Sequence, residues 1–475
     1  MAEIRRVPGT PPPMEKSLLY SLDKDCADFL RTLANVPHNA HSDFLYADRR
    51  AGGLGACKLT EDADIWTVAR AAQLIDSGDA VVRDVAIAQA NKNIYVALKR
   101  QPSFALLSDY LSGSQEGGLY EIRFASSGAN TWSRARRAAT RLGVRIDVSG
   151  DGTKTKLVAD DVSVTSIKAV RGLRSVVRNR HTMALSSAPH QGAAASGLLL
   201  ETKSKDMARL VARNSPLHFS EWDLIHQARL GLLPLHGAPG YQPPDKSCRR
   251  CGQPMETTAH VLNVCVNNMG RMTSRHDAIL DRLQEAINKA GHTTHKNRAY
   301  GNSSLRPDLV VDTDDGALII DITVPFDEPS NLQLAHERKV TKYTHLGNTM
   351  PFVVGSLGAW LPSNDLIARA VGIGAVGWNK DTRLLAIQGS LRITRKHIRG
   401  ERCHTSTRED PAAPGDQPTM LRGTGLLDSS GTHHPPDLHC SRSYRRSPNL
   451  PSDREGEGPA APGDQPTMLG GTGLL

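Results

Sequence analysis

The spacing Cys248-x2-Cys251-x8-His260-x4-Cys265 gathers three thiols and an imidazole into 18 residues. That is the ligand type and number zinc takes in a closed tetrahedral site. The x2 pair implies a tight turn relieved at Gly252, and Val261, Leu262 and Val264 imply a short helix carrying the second ligand pair. Such a module has little core of its own, so the metal is expected to supply its fold. Arg249 and Arg250 sit inside the turn, placed to meet a phosphate backbone.

A second constellation follows. Pro307 leads into Asp308-Leu309-Val310-Val311-Asp312, Thr313–Gly316 is turn chemistry, and Ala317–Val324 is an apolar strand interrupted by Asp321. A hairpin centred between Asp314 and Asp315 puts Asp308 directly opposite Asp321, with Cβ atoms about 4.5–5.5 Å apart. Carboxylates so placed repel unless a cation lies between them. Hard oxygen donors with room for water suit Mg²⁺, which can activate a water against a phosphodiester. Next, Asn331–Leu346 reads as a helix with Ala335, Lys339, Lys342 and Leu346 on one face. Either lysine can orient water or balance phosphate charge. Glu337 lies about 200° around the helix from Lys339 and is a weaker candidate. The plainer reading, a turn aspartate and a strand-ending aspartate, leaves unexplained a charge within a run of aliphatics.

The elements that would position these groups lie in a long, basic, aromatic-poor chain. It has 475 residues, a net charge of +9 and 4% aromatic residues, which leaves room for about three domains and favours a polyanionic partner. The start lacks the apolar stretch of a secretory signal, and no run reaches the roughly 18 apolar residues of a spanning helix. Seven cysteines, an odd number, argue for a reduced compartment with a metal site over a disulfide framework.

From about Asp25 to Leu98 the pattern is helical, with a turn at Arg49–Gly55 and with Trp66, Ala69, Ala72, Leu74 and Ile75 at helix spacing. Arg134, Arg137 and Arg141 form one basic stripe, and Lys168, Arg171, Arg174 and Arg178 another. They suit phosphate contacts or, equally, a solvated helix face. Trp222–Leu233 reads as a short helix, Phe352–Ser356 as a strand and Asp365–Val371 as a helix. The tail repeats PAAPGDQPTML at 411 and 459 and has little to bury, so disorder is expected there.

In order and spacing these parts resemble the carboxy-terminal portion of an R-two-type non-LTR retrotransposon polyprotein. The resemblance runs from about Asp25 to Arg399. It is carried by Arg49-x2-Gly52-Gly53-Leu54-Gly55, Trp222-x3-His226-x2-Arg229-Leu230, the CCHC spacing, Arg275-His276-Asp277, Pro307-Asp308-x12-Asp321 and Lys339-x2-Lys342-Tyr343.

The resemblance implies a last domain of PD-(D/E)xK nuclease fold that nicks target double-stranded DNA in the nucleus, the freed 3′ hydroxyl priming copying of the element's RNA. It implies Asp308 and Asp321 as Mg²⁺ ligands and Lys339 or Lys342 as a displaced catalytic lysine. It also implies Arg275, His276 and Arg306 near DNA or the site. The residue two after the second acid, where other members of the nuclease fold carry the lysine, is here Thr323.

The expected architecture is α+β and multidomain. Disordered residues 1–24 precede a helical thumb-like region at 25–110 and a helical linker with the basic stripes at 111–235. The zinc knuckle follows at 236–268, the restriction-like endonuclease domain at 269–399 and the disordered tail at 400–475. Tyr46-Ala47-Asp48-Arg49 is not a polymerase motif, because Arg49 stands where a second aspartate is needed. No polymerisation is expected of this chain. The alternative is a non-catalytic, nucleic-acid-binding remnant of such an element.

Overall fold

The computed structural model describes residues 16–113, 130–201, 216–238, 244–301, 303–374 and 378–400. Residues 1–15, the stretch Tyr120–Phe124 and the repeat-bearing tail from Glu401 lie outside the described residues.

Helices α1 (Lys16–Leu33), α2 (Asp43–Tyr46), α3 (Leu59–Ile75), α4 (Ala80–Leu98), α5 (Phe104–Leu111) and α6 (Thr131–Leu142) open the fold. Helix α1 begins inside the stretch expected to be disordered. Its Asp23 is buried and caps α3, accepting the Leu59 and Thr60 N–H groups at 2.6 and 3.0 Å, donors that α3 cannot satisfy itself. The buried stripe of α3 is Ile65, Val68, Ala69, Ala72 and Ile75. Trp66, expected in that stripe, is 53% exposed, with the Arg174 guanidinium over its ring at 5.8 Å.

The linker was expected to be helical. It contains instead an antiparallel meander of β1 (Arg145–Val148), β2 (Thr155–Ala159) and β3 (Val162–Thr165), followed by α7 (Ala169–Ser186). Ile146 and Leu157 are paired across β1 and β2 and are fully buried in the core that α3 to α7 share. Alternating apolar residues and the turn Ser149–Gly152 are the local signal for this meander.

A polar bridge joins α7 to both α2 and α3. The half-buried His181 imidazole bridges Asp43 Oδ1 (2.5 Å) and Glu61 Oε2 (2.9 Å). Burial pulls its pKa down, but the two carboxylates outweigh burial and leave it raised, while Glu61 is lowered. The raised histidine adds stability that is full below about pH 6.5 and is lost as pH rises through its folded-state pKa. The lowered Glu61 adds stability that is present above its unfolded pKa and is lost in acid. His181→Gln is therefore expected to lower the melting temperature more at pH 6 than at pH 9. Equal losses at both pH values in thermal melts would sink the idea.

After α8 (Ala193–Leu198) and α9 (Phe219–Arg229) come α10 (Thr258–Asn263) and the long α11 (Met269–Lys289). Strands β4 (Thr294–Lys296), β5 (Leu309–Thr313), β6 (Gly316–Ile320) and β7 (Ile322–Thr323) lead into helix α12 (Pro329–Tyr343). The chain ends its described part in β8 (Asn348–Thr349), β9 (Phe352–Val353), α13 (Asn364–Ala370) and α14 (Trp378–Arg399). The sheet order is β4-β5-β6-β8, with β7 paired to β9. Strand β8 runs parallel to β6 and β9 parallel to β7, so α12 is the crossover of a β-α-β unit.

Two cores fill this half. One packs Ile279, Leu280, Leu283 and Ile287 of α11 against Leu309, Leu318, Ile320 and Trp360. The other joins Ile225, Cys248, Val261, Cys265, Leu332, Val353 and Leu391, so the cysteine-rich segment shares a core with the elements around it. The result is a mixed α+β, multidomain architecture with a Cys/His cluster resembling a zinc-binding module. Among the described residues no helix is long and apolar enough to cross a membrane.

Candidate functional site

Strands β5 and β6 pair Leu309 with Ile320 and Thr313 with Gly316, the register of a hairpin centred between Asp314 and Asp315. Asp308 and Asp321 are the next pair outward, and the Asp308 N–H points at Asp321 Oδ1 (3.4 Å). Asp308 Oδ2 in turn accepts the Ile322 N–H at 2.7 Å. Each carboxylate is thus held by backbone beside the other.

Both acids have a basic neighbour. His276, on α11, sets Nε2 3.1 Å from Asp308 Oδ2 and Nδ1 3.2 Å from Asp277. Lys339, on α12, forms an ion pair with the buried Asp321. Lys342 is exposed and lies over the Tyr343 ring at 5.1 Å. Glu337 is also exposed and accepts from Gln333 at 3.0 Å. The fold therefore brings Lys339 to the acids, whereas Lys342 and Glu337 point elsewhere.

Burial pushes the Asp308 carboxyl up, but the hydrogen bond and charge of His276, the Ile322 N–H and the charge of Lys339 outweigh it. They hold Asp308 below the usual carboxylate range. His276 is shifted the other way: burial pulls it down, and Asp308 and Asp277 raise it above the ordinary histidine value. The donor set, two carboxylates with one partly open to solvent, is chemically suited to a hard dication. Such an ion would share with Lys339 the task of neutralising Asp321.

At the cysteine cluster, the ligand atoms of Cys248, Cys251, His260 and Cys265 all lie within 4.8 Å of one another. Cys248 and Cys265 sulfurs are 3.9 Å apart, and Cys251 Sγ is 3.2 Å from His260 Nε2. Zn–S bonds of about 2.3 Å at tetrahedral angles give an S···S edge of about 3.8 Å, so the residues fit zinc. The Thr257 hydroxyl caps α10 and sets His260 in its first turn. Burial pushes the Cys265 thiol up to about 12, with Cys248 and Cys251 adding to it. Thiolates here need a cation at their centre.

The arginines expected to meet nucleic acid around this cluster are used inside the protein. Arg249 clasps the fully buried Glu256 (2.7 Å) and donates to Pro234 O. Arg250 donates to His397 O at 2.7 Å and to Ile398 O at 3.3 Å, closing the end of α14. Arg275 is 3% exposed, bonded to Ser390 Oγ and Leu262 O, and burial lowers its pKa to about 10. Backbone carbonyls, the Ser390 hydroxyl and a buried carboxylate thus take up donors of all three side chains.

Arg174 is paired with Asp62 at 2.6 Å but is itself exposed. Arg134, Arg137, Arg171 and Arg306 remain exposed. His276, expected near DNA or the site, is a partner of Asp308. Glu256 and His397, both buried beside Cys248, escaped the sequence reading. Glu256 stands between Cys251 and His260 in sequence, a signal that was available. His397, over a hundred residues away, had none.

No protein-family model matches the chain. A protein of Popillia japonica described as "Retrovirus-related Pol polyprotein from type-1 retrotransposable element R2" is 29% identical over 174 residues, covering 33% of this chain and 36% of the relative. A second protein of that organism, with the same description, is 27% identical over 156 residues, covering 29% and 35%. The matched stretch thus spans about a third of the length of each relative. This chain is a distant homologue of R2-type retrotransposon Pol polyproteins.

Proposed function

We propose that the chain carries a Mg²⁺-dependent DNA-nicking endonuclease of PD-(D/E)xK type, acting in the nucleus on target double-stranded DNA to prime copying of the element's RNA. The observation that carries this reading is the convergence of Asp308, Asp321, Lys339 and His276 at the open end of one hairpin. A β-α-β crossover that delivers the lysine from α12, and the kinship with Pol polyproteins, support it.

Asp308 and Asp321 would hold the Mg²⁺, which would supply Lewis acidity toward a phosphodiester and lower the pKa of a bound water. His276 and the Ile322 N–H hold Asp308 in one orientation. Asp321, buried, is held by its ion pair with Lys339. Lys339 leaves its ion pair to offer an ammonium to the attacking water or to a phosphate oxygen.

The test is nicking of supercoiled DNA by the purified chain with Mg²⁺; intact plasmid would end this reading. Lys339→Ala is expected to slow nicking by about 10²–10³-fold, the loss that follows removal of one charge-stabilising donor. Lys342→Ala should leave the rate near wild type. The reverse order would transfer the assignment to Lys342.

The second reading, a non-catalytic binding remnant, is favoured by exposed Arg134, Arg137 and Arg171 on α6 and α7. It predicts no cleavage, with log affinity falling linearly against log salt.

A further inference from the structure

The fully buried Glu256 is bonded on every side. Its oxygens accept from the Arg249 N–H (3.0 Å), Arg249 Nε (2.8 Å) and Nη2 (2.7 Å), the His236 N–H (2.8 Å) and His397 Nε2 (2.9 Å). A carboxylate offers about four lone-pair sites, so this one is saturated. His397 is 1% exposed.

Its protonation follows from its neighbours. Asn268 Nδ2 faces His397 Nδ1 and Val261 O, each at 3.0 Å. An amide NH₂ only donates, so Nδ1 accepts and the ring proton sits on Nε2. That N–H faces Glu256 Oε1 at 2.9 Å and Cys248 Sγ at 3.8 Å.

We infer that Glu256 and His397 are positioning residues of the zinc centre, fixing the Cys248 turn and its sulfur on the end of α14. His397 shares its N–H between the carboxylate and the sulfur, which disperses thiolate charge. Glu256 holds that imidazole and, through Arg249, the backbone between Cys248 and Cys251. Arg250, bonded to His397 O and Ile398 O, closes the clasp from the turn side. Cys248, Glu256 and His397 also lie close enough together to hold an ion of their own. The guanidinium on both Glu256 oxygens and the proton on Nε2 oppose a second cation there.

The inference rests on the zinc reading of the four ligands. Wild-type chain that binds no zinc would overturn that reading first and separately. The experiment measures Zn²⁺ stoichiometry and affinity by competition with a chromogenic chelator, and the thiolate-to-metal absorption of the Co²⁺ form. The variants are His397→Leu, His397→Gln and Glu256→Gln in the full chain.

His397→Leu and Glu256→Gln are expected to weaken zinc by about 10–100-fold, as loss of the partners behind metal ligands does. Both should shift the Co²⁺ thiolate band, while His397→Gln, which keeps an N–H, should lose less. Circular dichroism at saturating zinc checks folding. If His397→Leu does not fold, the volume-neutral Glu256→Gln decides alone. Unchanged affinity and unchanged absorption, or a second ion bound by wild type, would overturn the proposal.

Discussion

Asp308→Ala is expected to abolish Mg²⁺-dependent nicking, by at least about 10²–10³-fold, while the chain stays folded. Asp308 is held from three directions: the Ile322 N–H at 2.7 Å, His276 Nε2 at 3.1 Å and the field of Lys339. These contacts keep it ionised despite burial, the state a metal-binding carboxylate needs. Only the Ile322 N–H belongs to a core residue, and β7 stays paired with β9, so activity should fall far more than stability. Asp308→Asn, nearly isosteric, should be as inactive as the alanine variant. Asp312→Ala is the control: Asp312 is exposed on the same strand and pairs with His295 at 3.1 Å. Plasmid-nicking rates and thermal melts on the same preparations check this; an Asp308→Asn protein that nicks at the wild-type rate would remove these acids from the chemistry.

Cys265→Ala, or a strong chelator, is expected to melt much of the carboxyl-terminal half. Cys265 and Cys248 are buried within the cluster that also holds Val261, Leu262, Leu332, Val353 and Leu391. Structural zinc contributes about 10–16 kcal/mol of apparent binding energy in isolated finger peptides at neutral pH. Part of that is expected to be available here, because the ligand turn is also clasped by Arg249 and Arg250. Without the ion, protonated thiols remain close-packed with nothing at their centre. The expected result is loss of the bound zinc together with a fall in melting temperature of well over ten degrees, taking about 2–4 °C per kcal/mol for a large domain. Alanine at the exposed Cys26 or Cys57 should change neither. A Cys265→Ala chain that melts like wild type would show that the packed helices hold this region without metal.

The legible parts of the site were those fixed by short-range chemistry. A hairpin's register follows from where its turn falls, and a one-residue slip would move every side chain to the other face. That made the opposition of Asp308 and Asp321 readable from Thr313–Gly316. The zinc ligands were readable because four donors within 18 residues can meet only over a tight turn. Long-range partnerships were not. His276 reaches Asp308 only because α11 packs Ile279 and Leu283 into the sheet core, and Arg275, one residue earlier, is thereby turned inward. Trp66 failed for a related reason: it lies about 100° around the helix from Ile65, and a mostly alanine stripe left two faces equally plausible.

Residue types and spacing by themselves determined that this chain brings together a Cys/His cluster able to hold a metal ion, an acid pair on one hairpin and a following helix that presents lysines. Only the tertiary structure decided that Lys339 meets the acids and that Arg249, Arg250 and Arg275 serve the interior. Only it brought Glu256 and His397 together behind Cys248. A local pattern fixes what lies within a few residues along the chain. Which donor answers which buried acceptor depends on how distant helices pack, and burial makes an unanswered charge too costly to leave.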